Sequence, residues 1–356
     1  MISTDHLSLS TSMNKLKITS KLLVVLAASS LVLSCRKATV EPYKKWEFNS
    51  PDYFPAPVYN FENNKQNFQK FTLGRVLFYD PLLSSDGTVS CASCHANSHA
   101  FAGHNTALSP GVNNLVGTRN SPSIVNLAWS PSFMWDGGIN HIEVMPIAPL
   151  TNPVEMNESL ANIILKLKAS ERYKKLFKEA YGTEEVTDQR ILKSLAQFMM
   201  MIVSTNSKYD QMKRGEVSFT ATEQEGYSLF QQKCSQCHTE PLFTDYSFRN
   251  NGLDLTFSDQ GRALITQQSS DLGKFKVPTL RNVLMTYPYM HDGRFYTINQ
   301  VLEHYNSGVK HTNTLDPLLD NGIPLTASEK TQIIAFLRTL NDETLLSDYW
   351  LSEPKN

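Results

Sequence analysis

The sequence lacks an excess of charge of either sign, a long apolar run and a surplus of cysteine. Its 33 Lys and Arg nearly balance 34 Asp and Glu, and the formal charge of −1 argues against a nucleic-acid partner. The apolar run from Leu22 to Leu33 is too short for a transmembrane helix. What remains is an ordinary globular composition, 41% hydrophobic over 356 residues, with room for two domains.

The first 35 residues have the pattern of a secretory signal. Three lysines precede the apolar run, and Val32-Leu33-Ser34-Cys35 looks like a bacterial lipobox, in which the cysteine is lipidated and becomes the mature N-terminus. Ordinary signal cleavage beside an incidental Cys35 is the alternative. Met13 begins a leader of more usual shape than Met1 does. We therefore predict a signal peptide over residues 1–35, a tether over 36–60, and a lipid-anchored protein of a Gram-negative-type periplasm.

The other four cysteines form two C-x-x-C-H units, Cys91-Ala92-Ser93-Cys94-His95 and Cys234-Ser235-Gln236-Cys237-His238. In such a unit the two thiols add to the vinyl groups of a haem, and the adjacent imidazole ligates the iron. A zinc site of paired C-x-x-C motifs would leave both histidines unexplained. The sequence thus predicts two covalent haem c groups, with no cysteine left for a disulfide. The haem-binding residues are Cys91, Cys94, His95, Cys234, Cys237 and His238.

Helical patterns recur in the same order around each unit. We predict helices at 67–78, 158–181 and 188–203, and capping boxes at Thr220 and Thr326 open two more. Gly74 weakens the prediction of a continuous first helix. The Pro-punctuated segment 97–157 is predicted to wall the first haem pocket, and polar residues 204–216 to link two domains. The pattern indicates a mainly α fold of two tandem cytochrome c-like haem domains with long loops, at 61–207 and 208–356.

Seven stretches resemble the bacterial di-haem cytochrome c peroxidases and their MauG-type relatives. They are Phe78–Ser84, Ser90–His95, Thr118–Ser123, Trp135–Gly137, Asn152–Met156, Lys276–Asn282 and Tyr287–Gly293, in the family's order. The resemblance covers about residues 65 to 340. It implies that peroxide binds at the N-terminal haem and that electrons enter through the C-terminal haem.

The resemblance also implies roles for two residues of the long loop. Trp135 would lie between the haems, and Glu155, twenty residues later, would move protons during O–O cleavage. The position of the family's pocket glutamine is Met145, which cannot donate a hydrogen bond to peroxide. Glu143 is a second, weaker carboxylate candidate on the same loop.

Iron ligation departs from the usual peroxidases at the first haem. The family's distal histidine position, sixteen residues after the first C-x-x-C-H histidine, is Gly111 here, and glycine cannot ligate iron. We therefore expect an open first haem that reacts in the fully oxidised state. His99 and His104 are the alternative ligands.

At the second haem the resemblance implies that Tyr305 is the distal ligand, as in the MauG type, with His304 and Met290 as alternatives. The same register implies a calcium ion between the domains. Asn120 would supply a side-chain oxygen, Thr286 and Pro288 would supply backbone carbonyls, and water would supply the rest.

Together these implications predict a di-haem peroxidase that reduces hydrogen peroxide to water with electrons from a cytochrome c or a similar redox protein. A MauG-like oxidase, which uses peroxide or O₂ to reach a high-valent state and oxidise a protein or organic substrate, is the second hypothesis. A non-catalytic electron-transfer protein is the third. The sequence does not fix the oligomeric state, and a homodimer is one option.

Overall fold

Helices dominate residues 47–355, the part of the chain that this computed structural model describes. The predicted signal peptide, Cys35 and the first residues of the tether lie outside that range. Within it, no helix is long and apolar enough to cross a membrane. The helices are α1 (Phe68–Tyr79), α2 (Cys91–Cys94), α3 (Ile147–Thr151), α4 (Leu160–Lys168), α5 (Glu171–Tyr181), α6 (Asp188–Met200), α7 (Lys208–Lys213), α8 (Ala221–Lys233), α9 (Ala263–Thr266), α10 (Ile298–Glu303), α11 (Ala327–Arg338) and α12 (Glu343–Leu346).

Sheet structure is confined to one two-stranded antiparallel pair in this range, β1 (Phe248–Arg249) and β2 (Phe275–Lys276), with Phe248 opposite Lys276. The predicted long helix over 158–181 is instead two helices, α4 and α5, separated at Ala169 and Ser170. Both predicted capping boxes are confirmed: the Thr220 hydroxyl accepts from the Glu223 amide at the start of α8, and Thr326 does the same for Glu329 at the start of α11.

Two crossed helix pairs hold the C-x-x-C-H units. Helix α1 packs on α6 before the first unit, and α8 packs on α11 around the second. A glycine lies at each crossing. A Cβ atom on Gly74 would lie 1.8 Å from the Ser194 carbonyl oxygen, and one on Gly226 would lie 1.9 Å from the Gln332 carbonyl oxygen. Gly74 is therefore no helix breaker. It allows the backbones of α1 and α6 to come into contact, and α1 continues through it without interruption.

An ungapped internal repeat follows each unit, residues 120–139 and 276–295, with every counterpart 156 positions apart (291 − 135 = 156). The repeats share their unusual backbone. Asn126 and Asn282 have φ values of 58° and 59°, and Met134 and Met290 have φ values of 67° and 74°. Each repeat also closes the same antiparallel bridge, Phe133 with Ile139 and Tyr289 with Phe295. The chain therefore builds the same loop twice.

The two repeats meet across a pseudo-twofold axis. The Asn120 amide donates to the His291 carbonyl at 2.7 Å, and its counterpart, the Lys276 amide, donates to the Trp135 carbonyl at 2.8 Å. Reciprocal contacts of this kind are the signature of an isologous interface. They place Trp135 and His291, which are themselves counterparts, where the two halves join.

The segment predicted as a polar link contains a short helix over residues 208–213, which the sequence pattern did not predict and of which Tyr209 and Asp210 are buried. Helix α7 begins with a capping box between Ser207 and Asp210. Asp210 is fully buried and pairs with the equally buried Arg281 at 2.9 Å, while Tyr53 donates to it at 2.8 Å. The reason for this omission is that the charge balancing Asp210 comes from a residue far along the chain.

Candidate haem cavity and active site

A cavity of about 1070 Å³ runs between the two halves. That volume slightly exceeds the upper end of ordinary small-molecule pockets, roughly 1,000 Å³. Both C-x-x-C-H units line it, and their four cysteines form no disulfide with each other. The structure brings the other predicted site residues into its wall as well: Trp135, Glu155, Tyr305, Asn120, Thr286 and Pro288.

The two C-x-x-C-H histidines have matching surroundings. Nδ1 of His95 lies 3.0 Å from the Phe101 carbonyl oxygen, and Nδ1 of His238 lies 3.2 Å from the Phe243 carbonyl oxygen. Phe101 and Phe243 both have left-handed backbones, with φ values of 56° and 54°. Burial lowers the pKa of both imidazoles, which favours the neutral form that ligates metals. Because Nδ1 is engaged, Nε2 is left for iron, so the residues fit two covalent haems.

The Glu155 carboxyl lies in the wall of this cavity, in the turn between α3 and α4. Its Oε1 atom accepts a hydrogen bond from Nδ2 of Asn152 at 2.7 Å. Burial raises the pKa of Glu155, and the Asn152 bond opposes this by favouring the charged form. The net effect is a pKa above the ordinary value for a glutamate. Met145 also lines the cavity, as its position in the register implied.

The Gly111 loop packs directly on the backbone that carries Glu155. The Val112 amide donates to the Glu155 carbonyl at 2.8 Å. A Cβ atom on Gly111 would lie 2.2 Å from the Val154 carbonyl oxygen and 2.5 Å from the Glu155 carbonyl oxygen. A histidine therefore does not fit this loop conformation. The alternatives His99 and His104 stack on each other with ring centroids 5.1 Å apart, and neither lines the cavity.

Trp135 is hydrogen bonded into the join between the halves. Its Nε1 atom donates to the Asn120 carbonyl at 2.8 Å. Beside it, Arg119 donates to Asp136 at 2.5 Å and to Asp259 at 2.6 Å, which ties the first repeat to a loop of the second half. This ion-pair network could not be predicted from the sequence pattern, because Asp259 is distant along the chain and belongs to no motif.

Tyr305 lies on a π-helical turn, His304–Gly308, an element that is common at functional sites. Burial raises the pKa of its phenol to about 12. Of the alternative ligands, His304 is turned away, since its Nε2 lies 2.9 Å from the Asn251 carbonyl and it does not line the cavity. Met290 does line the cavity, and its sulfur accepts from Nδ2 of Asn251 at 3.4 Å. Tyr305 and Met290 are thus the two alternatives present in the cavity.

Comparison with known proteins identifies the family. The family model described as di-haem cytochrome c peroxidase matches residues 68–218. The methylamine utilization protein MauG of Methylophilus methylotrophus is 31% identical over 329 residues, 90% of this chain and 96% of that protein. The cytochrome c551 peroxidase of Nitrosomonas europaea is 34% identical over 78% of this chain and 81% of its own. The chain belongs to the di-haem cytochrome c peroxidase and MauG family.

A solved relative supports the same assignment. The crystal structure of a MauG-like protein associated with microbial copper homeostasis superposes with a TM-score of 0.79 at 31% identity, over 87% of this chain and 99% of that one. Membership makes the chain a c-type cytochrome of an oxidoreductase family and implies two haem c groups, in agreement with the two units. Because relatives carry both names, membership alone does not choose between a peroxidase and a MauG-like oxidase.

The residues predicted to hold calcium, Asn120, Thr286 and Pro288, all line the cavity. Asn120 is buried, and its Nδ2 donates to the Ala107 carbonyl at 2.8 Å, which leaves its side-chain oxygen for another partner. Within residues 47–355 no protein donor bonds the carbonyl oxygens of Thr286 and Pro288. No group of three or more His, Cys, Asp or Glu in that range could hold a metal ion. The set therefore offers neutral oxygens, which suit Ca²⁺.

Proposed function

We propose that this family member reduces hydrogen peroxide to water at the His95 haem, with electrons that a small redox protein delivers to the His238 haem. Two electrons and two protons convert one peroxide into two waters. The observation that carries the proposal is the half-buried Glu155 carboxyl in the wall of the cavity that the first C-x-x-C-H unit also lines.

The bound haem supplies peroxide binding and electron storage. The chain itself supplies the proton transfer. Heterolysis needs a proton taken from one peroxide oxygen and delivered to the other, which a single carboxylate within reach of both can perform. The raised pKa of Glu155 suits it to accept that proton and give it up again, and Asn152 holds its Oε1 atom in place.

Trp135 is proposed to connect the two halves electronically. It lines the cavity, its indole nitrogen is bonded to Asn120, and its carbonyl accepts from Lys276 in the opposite repeat. These contacts fix the indole at the join of residues 61–207 and 208–356, the two proposed haem domains. A fixed aromatic ring there shortens the distance that an electron must cross.

A MauG-like oxidase acting on a protein or organic substrate is the second candidate. The bare Gly111 loop and the presence of Tyr305 in the cavity favour it, as does the likeness to two proteins named MauG, the second being 35% identical and from Methylorubrum extorquens. A protein that only transfers electrons is the third hypothesis. It is favoured by Met145, which replaces the family's pocket glutamine and cannot donate a hydrogen bond to peroxide.

Steady-state peroxide consumption separates these readings. With reduced cytochrome c as donor, the peroxidase oxidises two cytochromes for each peroxide consumed. A MauG-like oxidase consumes peroxide slowly with this donor and faster with its own substrate. An electron-transfer protein exchanges electrons with cytochrome c but consumes no peroxide, which would remove the enzymatic proposal.

Tyr305 is proposed to be the distal ligand of the second haem. A phenolate is a hard anionic donor that stabilises ferric iron, whereas a thioether raises the potential. Redox titration of Tyr305→Met should therefore show a higher potential for the second haem and an unchanged first haem. An unchanged second potential would favour Met290, the other candidate in the cavity.

A separate proposal concerns the signal sequence: Cys35 is lipidated and anchors the protein on the periplasmic side of a membrane. Membrane fractionation of a C35A variant tests this. The variant should move to the soluble fraction with its haems attached; retention on the membrane would contradict lipidation at Cys35.

A further inference from the structure

Lys276 occupies the pseudo-symmetric position of the predicted calcium ligand Asn120. The two are counterparts in the ungapped repeats, and their amides make the reciprocal hydrogen bonds across the join. The other two members of the calcium set also have counterparts, Ser130 for Thr286 and Ser132 for Pro288. The pseudo-symmetric position therefore has the frame of the calcium site, with Lys276 of the second repeat facing Ser130 and Ser132 of the first, and a lysine in place of the asparagine.

The lysine side chain reaches the counterpart oxygen. Nζ of Lys276 donates a hydrogen bond to the carbonyl of Ser132, the equivalent of Pro288. The Ser130 hydroxyl donates to the same carbonyl at 2.6 Å. In the other half, the corresponding carbonyls of Thr286 and Pro288 have no protein donor within residues 47–355. The Ser132 carbonyl is thus bonded by an ammonium from the opposite half, whereas the carbonyls of Thr286 and Pro288 are left for a separate cation.

An ammonium and a calcium ion meet the same chemical need at such a position. Both cations bind carbonyl oxygens. The lysine ammonium does so through its three N–H donors, and calcium coordinates carbonyl and amide oxygens directly. Burial lowers the pKa of Lys276 to about 8, with Asp136 opposing and Arg262 reinforcing the shift, so the side chain is mostly an ammonium at neutral pH. The ring of Phe133 lies 5.9 Å from Nζ and adds a favourable aromatic face.

We infer that the Lys276 ammonium is a built-in cation that stands in for calcium at the pseudo-symmetric position, where it fixes the Ser130–Ser132 turn leading into Trp135. This inference rests on the proposed calcium site and extends it. Each of the two equivalent positions at the join then has one cation: an exchangeable calcium ion at Thr286 and Pro288, and the covalently attached Lys276 ammonium at Ser132.

The inference predicts that the cation type can be exchanged in either direction. K276N removes the ammonium and introduces the amide oxygen that its counterpart uses, so calcium per pair of haems should rise from one to two. N120K introduces an ammonium at the calcium position, so calcium should fall from one to zero.

After dialysis against micromolar calcium, the calcium and iron contents of each variant are measured by elemental mass spectrometry. The iron content gives the number of haems. The matched control is K274N, two residues away. Lys274 pairs with Asp271 at 3.3 Å and does not line the cavity, so the calcium content of this variant should stay at one. Intact haem absorbance shows that each variant has folded, and N120K provides the second test where K276N folds poorly.

The outcomes are distinct. Two calcium ions in K276N against one in wild type support the inference. One calcium ion in both K276N and wild type, or one calcium ion retained in N120K, overturns the inference about Lys276. Neither result removes the proposed calcium site. No calcium in wild type removes the proposed calcium site, and this inference with it.

Discussion

The two halves of the molecule share a backbone and differ in a few side chains. Residues 120–139 and 276–295 make the same turns, bridges and left-handed residues. At counterpart positions, however, the first half has Trp135 and Asn120 where the second has His291 and Lys276. The shared backbone depends on the residues that fix its turns. The function of each half depends on the side chains that this backbone carries.

The open sides of the two haem sites differ in the same way. The first half offers a carboxyl, Glu155, held beneath the bare Gly111 loop. The second offers a phenol, Tyr305, on a π-helical turn. One arrangement suits proton transfer to a bound substrate, and the other suits occupation of the iron. This difference supports the proposal that peroxide chemistry belongs to the first half and electron storage to the second.

The largest expected effect comes from removing the carboxylate of the first half. Glu155→Gln should slow peroxide turnover by roughly the 10²–10⁴-fold of general acid–base catalysis while both haem spectra stay near wild type. The matched control is Glu143→Gln, whose carboxylate accepts from the Tyr59 hydroxyl at 2.5 Å and does not line the cavity. Equal losses in both variants, or none in either, would take Glu155 out of the mechanism.

The next effect tests whether the two helix crossings are equivalent. Gly74→Ala and Gly226→Ala each force a methyl group against a backbone carbonyl, and each should lower the free energy of unfolding by about 1–3 kcal/mol, the usual range for overpacking. Denaturant unfolding followed by circular dichroism measures both. A loss in one variant only would show that the crossings are not equivalent in packing.

A smaller effect is expected at the Gly111 loop. Gly111→Ala pushes the Val154–Glu155 backbone away, and a displacement that raises the barrier by about 1.4 kcal/mol slows turnover about tenfold. Gly117→Ala on the same loop is the control, because its Cβ atom would meet only a Val154 methyl at 3.9 Å. Similar turnover in the two variants would mean that the loop does not position Glu155.

The smallest effect is a change in pH dependence. Asn152 donates to Glu155 and favours its charged form, so Asn152→Ala should raise the pKa of Glu155 further. Because Glu155 must be deprotonated to accept a proton, the acid limb of the turnover profile should move up by about one pH unit. Glu155→Gln should lack this limb. A limb that stays in place in Asn152→Ala would belong to another group.

The sequence was sufficient where the chemistry is local. The C-x-x-C-H units and the capping boxes at Thr220 and Thr326 could be recognised because neighbouring residues make each of them. The pairing of Trp135 with Glu155 was implied by the family resemblance. Gly74, Gly111 and Lys276 could not be interpreted in this way. Their meaning depends on backbone that approaches from far along the chain, and α7 was missed because Arg281 neutralises Asp210 from a distance.

The most direct test of the division of labour is stopped-flow mixing of hydrogen peroxide with the fully oxidised protein, followed through the haem absorbance. We predict a fast spectral change without prior reduction, reversed when a reduced donor is added, because no side chain at Gly111 blocks the first haem. A spectrum that stays constant until one electron has been supplied would contradict the account, since it would require a distal ligand that must first leave.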